Sequence, residues 1–296
     1  MVRYSKVVWW LLATKSTKST KDLFAYFVFY VCFVANAYGI ICGMKDLFGR
    51  IAPKYDRMNR IMSLSLDRRW RRAALDLLPP TANPLSLRSG AANSQQPTIN
   101  YGALGDRALP TTNYQPPTIS ALDLACGTGD FAAALLERHP SASITCVDLT
   151  PEMLDIARAK LANAPDVRFL AADAQNLSPF GDGSFDLVVC AFGFRNFPDK
   201  AKALAECRRI LAPGGELVVL ELFRPRSRLL GGIVRMWLAV VAAIFAGGSR
   251  KEYAYLRSSV AGTVTANEFI RMAKDAGFTS ARRRFLFPAA TALAFS

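Results

Sequence analysis

From Ile119 onward, short runs of residues that are apolar on both faces alternate with segments of helical period. ISALDLA, ITCVDL, VRFLAA, FDLVVCAF and GELVVLEL read as strands, and helices are predicted from about Gly129, from Pro151 and over 199–211. A strand buried on both sides belongs inside a sheet covered by helices, and strands joined through helices run parallel, so the pattern predicts an α/β fold. No repeat of solenoid period competes with that reading.

Such a sheet puts its ligand-binding loops at the carboxyl ends of its strands. The first strand runs into CGTGD at 126–130, where Gly127 and Gly129 flank Thr128. Glycine there supplies unusual dihedrals and lets a ligand lie against the backbone. Asp148 ends the second strand about twenty residues later, where an acid can accept hydrogen bonds from both hydroxyls of a ribose. Asp173 ends the third strand, within reach of an adenine amino group. The turn continues G-T-G-D-F-A, with alanine at the third glycine position, so spacing alone leaves a nicotinamide dinucleotide open, and a merely structural turn as well.

Charge is concentrated at the other end of the chain. Residues 1–72 hold 14 Lys and Arg against 4 acids, so +10 of the formal +14 lies there. No RNA-binding signature accompanies it, so an anionic membrane surface is the expected partner and nucleic acid is not. Residues 24–44 are uncharged, follow Lys15, Lys18 and Lys21, and are about the length that spans a bilayer. They read as a membrane anchor, as a targeting segment with a cleavage-like Ala35-Asn36-Ala37, or as sequence upstream of a true start at Met44. Four regions follow: the apolar segment 1–43, a helical region 44–78 broken near Pro53, a Pro/Ser/Asn-rich insertion 79–117 expected to be mobile, and the α/β domain 118–296.

The six cysteines show neither disulfide-framework nor zinc spacing, which suits a reducing compartment. The sole histidine, His139, closes a helix before Pro140, so a histidine triad or metal cluster is not expected.

LDLACGTGD, VDLTPEML, the Asp173-Ala174 pair and LAPGGELVVLE resemble, in order and spacing, the successive motifs of class I S-adenosyl-L-methionine methyltransferases. IAPKYDRMNRIMSLSLDRRWRR at 51–72 and FGFRNFPDKAKALAECRRILAPGG at 192–215 narrow the resemblance to the menaquinone and ubiquinone biosynthesis C-methyltransferases. It covers most of Met44 to Phe278 outside the insertion. It implies a Rossmann-like sheet, mostly parallel and seven-stranded, with helices on both faces and an N-terminal helical extension. It implies S-adenosyl-L-methionine as cofactor, held by Asp123, Gly127, Thr128 and Gly129, with Asp148 on the ribose and Asp173 and Ala174 at the adenine. The substrate it implies is a polyprenylated quinol, demethylmenaquinol or a methoxy-polyprenyl-benzoquinol, and the location is cytoplasmic, peripheral or N-terminally anchored at the inner face of a membrane. A homodimer or a quinone-biosynthesis complex stays open. Ser65 departs from the family, which usually has glycine there.

Methylating a ring carbon requires that carbon to be electron-rich, which loss of a phenolic proton achieves. Arg195 can stabilise the phenolate or orient a water that takes the proton, with Asn196 on the ring oxygen. The bland alternative for Arg195 is one half of a surface ion pair. Tyr55, Asp56 and Asn59 fall within one helical turn, as a lid over the cofactor or as a cap after Pro53. Leu229 to Phe245 reads as a buried helix, a wall for an isoprenoid tail, or a membrane-touching surface. Other readings are a methyltransferase for another lipophilic acceptor (a phenol, a sterol or a phospholipid amine), a non-catalytic membrane-tethered scaffold, and a nicotinamide oxidoreductase.

Overall fold

A computed structural model describes residues 45–46, 48–53, 55–57, 59–60, 63, 65–79, 119–225, 227, 231–232, 234, 236, 259, 262–287 and 290–296. The apolar stretch 24–44, nearly all of the 79–117 insertion and most of 229–245 lie outside them. The chain divides into two compact units, Met1–Leu47 and Phe48–Ser296. Of the first only Lys45 and Asp46 are described, both helical and exposed.

In the second unit, helical residues 48–53, 55–57 and 59–60 precede turn residues 63, 65 and 66 and helix α1 (Asp67–Leu75). The residues on either side of Lys54 are helical; the described break comes about ten residues past the expected one, at Ser63, Ser65 and Leu66, where Ser65 adopts φ +61°. There follow β1 (Ser120–Leu124), α2 (Asp130–Arg138), β2 (Ser143–Asp148), α3 (Pro151–Lys160), β3 (Val167–Ala171), β4 (Phe185–Ala191), α4 (Lys200–Ile210), β5 (Leu211–Glu221), α5 (Ala266–Asp275), β6 (Ala281–Leu286) and β7 (Ala290–Phe295). The strands form a seven-stranded sheet in the order β3-β2-β1-β4-β5-β7-β6. β1 to β5 are parallel, and β7 runs antiparallel between β5 and β6.

Helices end where their sequences say. Pro151 opens α3, Asp199 caps α4 by accepting from the Lys202 amide, and His139 is the C-cap of α2. Thr265 and Glu268 form a reciprocal capping box on α5. Leu122 and Leu124 face one hydrophobic core with Phe194, Leu204 and Phe269, while Ala121 faces the other with Trp70, Leu75, Phe131 and Leu135. Helices therefore cover both faces. The strand order reverses between β1 and β4, which puts the ligand crevice at the carboxyl ends of those two strands.

Candidate functional site

Two strained loops leave the sheet at that crevice. After β1, Ala125, Gly127 and Gly129 all have positive φ (53°, 54° and 81°); after β4, so does Phe192 (59°). Non-glycine residues in this region cost free energy that the surroundings must supply, which is typical of ligand sites. The two glycines of the turn do different work. A Cβ on Gly129 would lie 3.1 Å from Leu161 and 3.2 Å from Ala157, so glycine lets α3 pack close. A Cβ on Gly127 would meet only the Tyr55 ring, at 3.7 Å, on the side where a ligand would approach.

Asp148, at the end of β2, receives the Gly127 amide on one carboxylate oxygen and the Thr150 amide on the other, each at 2.9 Å. Burial raises its pKa and these amides oppose the rise. The Thr150 side chain and the Leu149 amide also bond this carboxylate. Asp123, on β1, is buried; its Oδ2 accepts from the Ala132 amide at 2.9 Å, and its Oδ1 has no partner among the described residues. Burial pushes this carboxyl up to about 7, against the pull of Arg71. An orphaned buried acid beside the turn suits a cationic group such as an ammonium.

Asp173 lies two residues beyond β3, and its Oδ1 accepts from the backbone and the side-chain amide of Gln175 at 2.9 and 3.2 Å. Gln175 in turn accepts from the Asp199 amide at 2.8 Å, tying this turn to the start of α4. Ala174 is buried in the core. Asp173 thus anchors a turn.

Tyr55 and Asp56 lie against the glycine turn. Asp56 bonds Thr128, 72 positions away, and Lys160 at the end of α3 reaches Asp56 at 2.7 Å, Thr128 at 3.2 Å and Asp130. Burial raises the Asp56 pKa, but Lys160 and Thr128 together bring it below the ordinary carboxylate value. Tyr55 is raised by burial, opposed by the nearby Arg195 and by a hydrogen bond with Asn59. The Asp56 carboxylate is thus bonded across to the glycine turn and to α3.

Arg195 is in an ion pair, but a buried one. Its Nη1 donates to Glu221 at 2.8 Å and to the Phe192 carbonyl at 2.8 Å, and its amide donates to the other Glu221 oxygen at 3.0 Å. The two side chains are 9% and 1% exposed, which rules against the alternative of a surface pair. Asn196 also reaches the Phe192 carbonyl, at 3.4 Å. The sequence offered one signal for Glu221 that went unread: an acid inside an otherwise apolar strand requires a partner. Lys160, Asp130 and Arg71, which pairs with Asp67 at 2.7 Å and approaches Asp130 at 3.8 Å, gave none, since each looks like an ordinary helix-surface charge.

The sequence pattern of the ubiE/COQ5 methyltransferase family matches residues 37–93 and 108–294, so only 94–107 of the insertion interrupts it. A demethylmenaquinone methyltransferase of Thermus thermophilus is 40% identical over 237 residues, 79% of this chain and 91% of that protein. One of Deinococcus radiodurans is 37% identical over 248 residues, 82% of this chain and 88% of the relative, and one of Thermotoga maritima is 35% identical, covering 78% and 86%.

Proposed function

The chain belongs to the ubiE/COQ5 methyltransferase family, and from that membership together with the site we propose that it methylates a ring carbon of a polyprenylated quinol, with S-adenosyl-L-methionine as methyl donor. The acceptor is demethylmenaquinol or a 2-methoxy-6-polyprenyl-1,4-benzoquinol, and the names of the relatives favour the first.

The residues at the glycine turn fit that donor. Asp123 Oδ1 suits the ammonium of its methionine end, the side-chain-free Gly127 suits close approach beneath the Tyr55 ring, and Asp148 ends β2 where an acid can hold the ribose. When bound, the donor supplies an electrophilic methyl group on a sulfonium. The chain's own task is to make the acceptor carbon nucleophilic. Arg195 stays protonated and is a poor base, so it holds the quinol oxygen as its proton passes to water, and the developing phenolate finds a donor already fixed in place.

The buried Arg195–Glu221 pair carries this reading. Burying two charges is expensive and adds little to stability, so a pair of this kind at the ligand edge of a sheet points to positioning. Tyr55 and Asn59, beside Arg195, close the site from above. A lipophilic acceptor and the +10 N-terminal quarter support a cytoplasmic location at the inner face of a membrane, held peripherally or through residues 24–43, alone, as a homodimer or within a quinone-biosynthesis complex.

Calorimetry tests the donor assignment. S-adenosylhomocysteine should bind and NAD should not, and Asp148→Ala should weaken binding at least tenfold, about 1.4 kcal/mol. An unchanged dissociation constant in Asp148→Ala would show the cofactor to lie elsewhere.

A further inference from the structure

Three large hydrophobic side chains stand exposed among the described residues, Met236, Phe285 and Phe287, the last 74% exposed. Phe287 follows β6, whose last residue Leu286 is level with Ala290; the next residue of β7, Thr291, is level with Glu221. The β6–β7 turn therefore projects at the same edge of the sheet as Arg195 and Glu221. It is fixed there, because the Trp70 indole donates to the Phe287 carbonyl at 3.2 Å. The Trp70 ring also packs edge-on against Phe192, 6.4 Å between centroids, and the carbonyl of Phe192 holds Arg195.

The same contact puts the first turn of α1 at this edge, and charge along α1 is unevenly balanced. At its far end Arg72 pairs with Glu137 at 2.9 Å, Arg138 with Asp76 at 2.8 Å, and Arg284 approaches Asp76 at 3.6 Å. In the first turn Asp67 is spent on Arg71, while Arg68 and Arg69 are exposed and make no ion pair among the described residues. Exposed aromatics flanked by unbalanced arginines are complementary to an anionic bilayer: rings enter the acyl boundary while guanidinium groups reach the phosphates.

We propose that Phe285, Phe287, Arg68 and Arg69 seat the ligand edge of the sheet on an anionic lipid bilayer, so that the crevice opens toward the membrane. The proposal takes its lipid-borne acceptor from the quinol reading; the seating itself rests on the surface. A polyprenylated ring lodged in such a bilayer then reaches Arg195 without its tail crossing water.

Two experiments on the full-length protein test it. Phe287→Trp, mixed with vesicles of brominated phosphatidylcholine and phosphatidylglycerol, should lose roughly half the added tryptophan emission beyond any loss in the wild type, and much less in vesicles without phosphatidylglycerol. Phe285→Ser/Phe287→Ser should raise the apparent KM for a long-tailed quinol in vesicles about fivefold or more while leaving a water-soluble short-tailed quinol within about twofold. Quenching no greater than in the wild type, or an unchanged KM in vesicles, would overturn the proposal. So would equal loss on both acceptors, which would make the phenylalanines part of the fold, or a wild-type dimer abolished by the serine variant with no effect of vesicles. No turnover of either quinol by the wild type would sink the quinol reading while the quenching result still decides the seating.

Discussion

Ser65 sits at φ +61°, in the region that favours glycine, on an exposed turn just before α1. The family resemblance marks glycine as usual there, and the backbone gives the reason. Ser65→Gly should stabilise the protein by about 1 kcal/mol, read as a higher thermal midpoint, because a left-handed conformation costs a side-chain-bearing residue about that much; an unchanged or lower midpoint would mean that the turn has relaxed around serine. Asp123 makes a pH-dependent claim. Its carboxyl lies near 7 when folded, so the folded state keeps a proton that the unfolded chain releases above about pH 4. The group's contribution to stability is thus present below the ordinary carboxylate pKa and lost as the pH rises through about 7. Asp123→Asn should flatten that decline, and wild-type cofactor binding near pH 6 should release a proton that the variant does not; calorimetry in buffers of different ionisation enthalpy measures it. At this scale the glycines and Asp148 were legible in the sequence, because backbone geometry and strand ends restrict residue type. Glu221 and Lys160 were not, since their meaning comes from partners 26 and 104 positions away.

The elements most open to test are those that close the site. Tyr55, Asp56 and Asn59 read from the sequence as a lid or as a cap, and the structure adds what holds Asp56 against the glycine turn: Lys160, one residue before the end-cap of α3. Lys160→Met should weaken cofactor binding several-fold, because Asp56 and Asp130 are left as neighbouring carboxylates and the lid loosens over Thr128. Unaltered affinity would mean that the lid closes by packing alone. The five parallel strands announced themselves as apolar runs between helical periods. β6 did not, because ARRRFL is an edge strand whose arginines pair with Glu216 and Asp76 or bond Asn267, so its pattern reads as surface. Thr265 and Glu268 carry the capping-box spacing ahead of α5 in the sequence itself.

For the whole molecule, the claim is that one buried arginine, positioned by Glu221 at the switch point of the sheet, turns a donor-binding fold into a quinol C-methylase. Arg195→Ala should cut turnover a hundredfold or more, about 3 kcal/mol, with cofactor affinity within a few-fold, and Arg195→Lys should restore only part, since an ammonium lacks the planar, delocalised guanidinium whose Nη1 already holds both Glu221 and the Phe192 carbonyl. The fold class was legible because parallel sheets need long apolar strands. The acceptor was legible only through family resemblance, since the chemistry of a quinol ring leaves no spacing rule in a sequence. The most direct measurement supplies methyl-labelled S-adenosyl-L-methionine and reduced demethylmenaquinol to the full-length protein and locates the label by carbon NMR of the product. The expected product carries the labelled methyl on a ring carbon, at a rate that collapses in Arg195→Ala; label on a quinol oxygen, or no transfer to any quinol while S-adenosylhomocysteine binds, would contradict the account.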